Sequence, residues 1–424
     1  MKTTKFKPSE VGPIPVEWEV KRLGEIGEPL MCKRILKSQT SDSGEVPFYK
    51  IGTFGKLADA YITRELFSSF KRQYSYPQKG DILISAAGTI GRTVEFDGND
   101  AYFQDSNIVW IGHDESVVYN KYLKWCYTGI KWQTEDGGIV TRLYNNNLRN
   151  SLIPVPPRPE QEKIAEALSD VDALLAAITK LIEKKRAIKQ GAMQELLGMR
   201  NDEFGMRNEP IRRLAGFSGA WVEKRFDECF ELIGNNTYSR EFMLPNASGI
   251  ANIHYGDILV KYGSVLDFQK EQVDSLISSL LAKSEILKDG DLIIADTAED
   301  ETVGKAVEVQ HLGMRQAVAG LHTIACRPTM KFAPGWLGYY IDSSAFHNQL
   351  LPLITGTKVS SISKAGLWST VLNIPTLAEQ KAIAAVLTDM DAEIMALEAK
   401  LSKYESIKQG MMQELLTGKT SLSV

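Results

Sequence analysis

Gly304-Lys305 is the closest approach in this chain to a phosphate-cradling loop, and it falls short. A nucleotide-binding loop of the form GxxxxGK[ST] uses backbone N–H groups and a lysine to surround phosphates. Here Ala306 follows the lysine, and no glycine stands at the other required position. Base methylation would need a glycine-rich cofactor loop and an Asn/Asp-Pro-Pro-aromatic motif. The nearest match, Pro156-Pro157, is followed by Arg158. A metal nuclease needs clustered carboxylates with a lysine. Glu183-Lys184-Lys185 has no acidic partner beside it and reads as a solvated helix face. Cys32, Cys126, Cys229 and Cys326 form no CxxC pair, and the histidines at 113, 254, 311, 322 and 347 show no ligand spacing. Neither a metal site nor a disulfide is expected. No nucleophile–base constellation stands out, so the expectation is no catalytic residue and a binding role.

Binding to a nucleic acid calls for Arg, Lys, Asn and Gln on loops, where they reach base edges and phosphates. Polar, basic turns supply Arg92, Arg142, Tyr144, Asn146, Lys261, Tyr262, Lys305, Lys358 and Ser360 as the expected contacts. Each could equally be an ordinary exposed turn; their recurrence at matching places in the two halves of the chain favours contact. The formal net charge of −4 weighs against a free-standing nucleic-acid binder. It is compatible with one basic groove among acidic outer faces, or with a partner that shares the grip.

What positions these loops is a duplicated frame. Glu160-Gln161 recurs as Glu379-Gln380, 219 positions later. At the same offset Asp170-x-Asp172 matches Asp389-x-Asp391, and Ile188-Lys189-Gln190-Gly191 matches Ile407-Lys408-Gln409-Gly410. Gly137, Val140, Leu143 and Leu148 match Gly356, Val359, Ile362 and Leu367. Further upstream the offsets shorten. Trp18-Glu19-Val20-Lys21-Arg22 echoes Trp221-Val222-Glu223-Lys224-Arg225, Gly80-Asp81-Ile82-Leu83-Ile84 echoes Gly290-Asp291-Leu292-Ile293-Ile294, and Thr89-Ile90-Gly91-Arg92 echoes Thr302-Val303-Gly304-Lys305. Loops between the shared landmarks therefore differ in length.

Each repeat ends in a long helix. Apolar residues at Ile164, Leu168, Val171, Leu175, Ile178 and Ile182 follow heptad spacing, as do Ile383, Leu387, Met390, Ile394, Leu397 and Leu401. The first seam passes through Lys185 and Lys189, a polar break of the kind that fixes register. Thr376-x-x-Glu379 is a capping-box pattern, and Gly198 and Gly418 stand where helix-terminating glycines belong. About 38 residues per helix gives about 57 Å at 1.5 Å per residue.

The fold class expected is α+β. Two similar globular domains alternate with two long helices, which pair as an antiparallel coiled coil and give an approximate two-fold axis within one chain. The boundaries fall at 1–153 (first domain), 154–199 (first helix), 200–373 (linker and second domain) and 374–424 (second helix and tail). A content of 43% hydrophobic and 24% charged residues suits several soluble cores. No run of about 18 apolar residues exists, which argues against a membrane span. The lysines of the first five residues have no apolar stretch behind them, so a cytoplasmic protein is expected.

Taken together these features resemble the specificity subunits of type I restriction-modification systems. The resemblance rests on Gly12-Pro13-Ile14-Pro15-x-x-Trp18 and its echo Gly216-Phe217-Ser218-Gly219-x-Trp221, on the two Gly-Asp-[IL]-[LI]-Ile strands, and on Ile153-Pro154 and Ile374-Pro375 leading into the Glu-Gln helices. It covers essentially the whole chain. It implies that each globular part is a target-recognition domain for one half of an interrupted double-stranded DNA sequence. It also implies that the helices act as a spacer and dock two modification subunits. Two restriction subunits would complete the assembly. S-adenosylmethionine, ATP and magnesium would belong to those partners, none to this chain. One departure is Pro157-Arg158-Pro159 before Glu160, where the second half has Thr376-Leu377-Ala378. The alternative is a coiled-coil adaptor whose globular ends bind ligands other than DNA; divergent loops on a duplicated frame favour the DNA reading.

Overall fold

The computed structural model describes residues 5–132, 142–200, 209–245, 249–277, 284–356 and 358–422. Gly137, Val140, Thr141 and Thr357, which belong to the repeat or its turns, lie outside them. The chain divides into two compact units, one of residues 1–179 with 399–424 and one of residues 180–398. The division cuts both long helices, so each unit holds a globular part together with a stretch of each helix.

In the first unit a four-stranded antiparallel sheet runs in the order Glu28–Leu30, Ile108–Gly112, Ile82–Ser85, Thr93–Glu95. The strand Ile82–Ser85 is buried on both faces because its side chains alternate between two cores. Ile82 and Ile84 join Trp18, Tyr122, Leu123 and Leu168, while Leu83 joins an aromatic core with Phe48, Phe54, Tyr102 and Trp110. This explains a continuous apolar run where a half-exposed strand would alternate. The preceding aspartate holds the turn: Asp81 Oδ2 accepts from the Gln78 N–H at 2.7 Å.

The second unit repeats the arrangement. Its sheet runs Phe230–Ile233, Thr323–Pro328, Leu292–Ala295, Ala306–Gln310, with Val265–Asp267 added parallel at the edge. Leu292 and Ile294 face one core, Ile293 and Ala295 the other. Asp291 Oδ2 accepts from the Lys288 N–H at 2.7 Å, repeating the first unit's turn.

The long helices span Arg158–Leu197 and Leu377–Leu415. In the second unit Lys185 meets Glu393 and Lys189 meets Asp391, both at 2.6 Å, so the two stretches run antiparallel. In the first unit Lys408 bonds Asp172, while Leu415 packs in one core with Ile164 and Leu168. All twelve seam positions named above are buried or half-buried. The polar break has a specific cause. Lys189 and Lys408 occupy matched positions, as do Asp391 and Asp172, and each lysine crosses to the aspartate of the other helix. Each also lies over an aromatic ring of its own unit, Tyr339 at 5.2 Å and Trp125 at 5.1 Å.

Of the two glycines expected to end the helices, Gly418 is left-handed (φ 70°). Gly198 is required for a different reason. A Cβ there would lie 2.2 Å from the Gln194 carbonyl oxygen and 2.9 Å from Ile211 Cδ1. The cap at the second helix forms in part, with the Glu379 N–H donating to Thr376 Oγ1 at 3.3 Å.

Leu387 is fully buried against the core that contains Leu196, Trp336 and Ile383. Leu387→Ala should cost about 2–5 kcal/mol, the lost transfer energy plus a cavity. Met395→Ala, at an exposed position on the same helix, should stay within about 0.5 kcal/mol. Urea unfolding of the two variants checks the difference; equal midpoints would contradict the seam as drawn.

Candidate nucleic-acid interface

The Glu-Gln pair at the start of each helix seats that helix on its globular part. Gln161 accepts from the Tyr119 N–H at 2.8 Å and donates to the Val117 and Pro156 carbonyls. Gln380 accepts from the Ala333 N–H at 2.8 Å and donates to the Pro375 carbonyl. The carboxylates are served differently. Glu160 accepts from Trp18 Nε1 at 2.9 Å and from Ser421 Oγ at 2.8 Å. Glu379 accepts two bonds from Arg213, at 2.8 and 3.2 Å.

On each frame the strand after the Gly-Asp turn runs into a loop held by the same backbone bonds. In the first unit the Ser85 N–H donates to the Arg92 carbonyl, the Gly91 N–H to the Ser85 carbonyl and the Leu143 N–H to the Ala86 carbonyl, at 2.9–3.0 Å. In the second unit the Ala295 N–H donates to Lys305, the Gly304 N–H to Ala295 and the Ile362 N–H to Asp296, each at 2.9 Å. Gly91 and Gly304 close the loops at φ 84° and 93°. A side chain there would strike Trp132 in one unit and Leu350 in the other. The loops differ where the frame does not constrain them. Ala86-Ala87-Gly88-Thr89-Ile90 is uncharged, whereas residues 296–303 carry Asp296, Glu299, Asp300 and Glu301 and span three residues more.

The expected contact residues divide into two groups. Arg142 bridges to Ala87 beside the first loop, and Tyr144 and Asn146 follow it, all three exposed. Asn146 Oδ1 also accepts weakly from Arg149 at 3.5 Å. Ser360 pairs with Ala298 beside the second loop, half-buried, with Lys358 exposed two residues earlier. These five stand on matched segments next to matched loops.

The other four are engaged within their own unit, Lys261 while still exposed, and correct the sequence expectation. Arg92 donates to the Ile51 carbonyl at 2.9 Å and lies over the Phe54 ring. Lys305, its counterpart, donates to the Leu259 and Tyr262 carbonyls at 3.1 Å, and burial lowers its pKa. The repeated basic residue thus ties down a neighbouring segment in both units, and that tether accounts for its recurrence. Tyr262 is 2% exposed and cannot meet a macromolecule. Lys261 donates to the Gln272 carbonyl at 2.8 Å. Lys261, Tyr262 and Lys305 line a cleft of about 1180 Å³ within the second unit. Its charges are largely matched in pairs, Lys189 with Asp391, Arg186 with Glu398 and Lys270 with Asp267. That leaves little net attraction for phosphate.

Sequence reasoning missed a polar cluster next to the second loop. His322 precedes strand Thr323–Pro328 with its backbone left-handed at φ 54°. Its Nδ1 lies 3.4 Å from Thr297 Oγ1 and 3.5 Å from Asp296 Oδ1, and the Tyr255 ring meets its ring edge-on at 5.3 Å. His254 stacks obliquely on Tyr255 at 4.7 Å and accepts from the Gly256 N–H, while burial and Arg240 hold its pKa low. The only sequence signal is one of placement: His322 stands where the first unit has Asn107. The carbonyl of each accepts from the matched N–H, Ala86 in one unit and Asp296 in the other.

Comparison with known proteins finds relatives of one kind. The profile for the type I restriction modification DNA specificity domain matches residues 15–190. A Haemophilus influenzae chain assigned as a type I restriction enzyme specificity subunit is 58% identical over 161 residues, 38% of this chain and 42% of that one. The type I restriction enzyme MjaVIII specificity subunit of Methanocaldococcus jannaschii is 24% identical over 430 residues, 99% of this chain and 96% of that one. Among solved structures, the type I restriction-modification S subunit of M. genitalium shares the fold at 13% identity, with a TM-score of 0.55 over 98% of this chain and 99% of that one. The duplicated frame, the paired helices and these relatives agree in kind: residues 15–190 match the type I restriction modification DNA specificity domain, and the relatives that align with this chain are type I restriction enzyme specificity subunits.

Proposed function

We propose that this chain is the DNA-specificity subunit of a type I restriction-modification complex. Each unit reads one half of a bipartite duplex target, and the long helices dock the modification subunits. The observation that carries this is the conserved backbone frame around loops of different length and charge. The frame fixes where side chains are presented; the loops decide which bases they suit. The complex contains two modification and two restriction subunits. Those partners take up S-adenosylmethionine, ATP and magnesium, and this chain contributes recognition without catalysis. A net charge of −4 fits a subunit whose partners share the grip on phosphate. The complex works in the cytoplasm; no helix among the described residues is long and apolar enough to cross a membrane.

Replacing residues 10–150 with the equivalent domain of another family member tests the modular reading. Methylation profiling of the host should show one half of the recognised motif exchanged and the other unchanged. Simultaneous change of both halves would refute it. The purified chain, without partners, should neither methylate nor cut DNA.

A further inference from the structure

We infer that His322 is a specificity-determining residue of the second unit, accepting a hydrogen bond from the exocyclic amino group of an adenine or cytosine in the major groove. The inference deepens the DNA-specificity reading and rests on it. Three features place the imidazole. Its backbone sits at the end of the matched loop, held by the bond from Asp296 N–H to His322 O at 3.1 Å. Its φ of 54° is a conformation that non-glycine residues adopt rarely, and one that marks sites where a side chain's direction matters. Its side chain is 48% exposed, so the ring is oriented yet open to a partner.

The neighbours decide the chemistry. Thr297 Oγ1 donates to Asp296 Oδ1 at 2.8 Å and so turns a lone pair to His322 Nδ1 at 3.4 Å; with the carboxylate 3.5 Å away, this favours the tautomer with the proton on Nδ1. Nε2 is then the acceptor, and no protein partner is assigned to it among the described residues. Adenine N6 and cytosine N4 are the major-groove donors; guanine and thymine present acceptors at the corresponding positions. The Tyr255 ring, edge-on to the imidazole, restricts its rotation. The first unit places Asn107 here, half-buried, with its Oδ1 lacking a partner among the described residues. The imidazole is therefore particular to the second unit and should influence one half-site only.

The test uses the chain assembled with its modification subunits, on duplex oligonucleotides carrying the methylated motif. Within each half-site purine replaces adenine, or 2-pyrimidinone replaces cytosine, one position at a time, removing only the amino group. His322→Gly deletes the ring while tolerating φ 54°, and His322→Gln keeps an acceptor. For the natural complex, loss of one amino group in one half-site should weaken binding about ten- to a hundred-fold. H322G should bind the unmodified duplex more weakly by a similar factor and be indifferent to that same base change. H322Q should recover part of the affinity. The assignment is overturned if no amino deletion interacts with H322G, or if H322G relaxes both half-sites equally. If the natural complex shows no specific motif, the DNA-specificity reading itself fails, a result distinct from either.

Discussion

Arg213→Ala is expected to destabilise the second unit by about 3–5 kcal/mol, because it strands a buried carboxylate. Glu379 is 2% exposed, and Arg213 is itself largely buried beside it. The guanidinium meets both carboxylate oxygens, a geometry that lysine cannot reproduce. Most of the effect is the penalty of the unpaired charge, not the net worth of the pair. Glu379→Gln in the Arg213→Ala background should therefore restore much of the loss, since a neutral amide needs no counter-ion. Unfolding midpoints of the single and double variants separate these terms. A loss below about 1 kcal/mol for R213A would place the pair among the weak surface bridges instead. The first unit offers the control. Its Glu160 is served by neutral donors, Trp18 Nε1 and Ser421 Oγ. Trp221, the counterpart of Trp18, leaves its indole N–H without a partner among the described residues. One carboxylate position has thus been satisfied in two chemically different ways.

That contrast marks how far sequence reading reaches. Glu160-Gln161 and Glu379-Gln380 were legible as a repeat because identity survives at a fixed offset. Their reason was not legible: the partners Tyr119 and Ala333 lie 42 and 47 residues away. The heptad seam was readable residue by residue, since helical periodicity is local. The strands Ile82–Ser85 and Leu292–Ala295 were visible as apolar runs, but the two cores they separate were not. The contact residues fared worst where burial decides. Arg92 and Lys305 look like loop cations, yet each is drawn inward by a backbone carbonyl on a distant segment. Tyr262 looked like an aromatic in a basic turn and is part of a core. Conversely, His254, Tyr255 and His322 come together only because parallel pairing of Ala251–Ile253 with Ala317–Ala319 brings their segments side by side. Nothing in the spacing of isolated histidines signals that.

Between about pH 4.5 and pH 7 the second unit should lose about 3 kcal/mol of stability through Glu308 alone. Burial pushes this carboxyl from the usual value of 4.5 up to about 7. It does so despite bonds from the Gly335 and Gly338 N–H groups at 2.7 and 3.1 Å and from Gln310 Nε2 at 2.6 Å. The folded state therefore holds a proton that the unfolded chain releases near pH 4.5. Folding is favoured most below that pH, and the advantage is lost as pH rises through about 7. Burial shifts other carboxyls upward as well, Asp342 among them. The informative quantity is the difference between the natural chain and Glu308→Gln, in which position 308 cannot ionise. That difference should drift by about 3 kcal/mol in favour of the variant from pH 4.5 to 7 and then level off. The counterpart Glu95 occupies the same sheet register, but it is exposed and pairs with Lys124 at 3.7 Å. Urea unfolding across the pH range measures the drift; a flat difference for E308Q would remove burial as the cause.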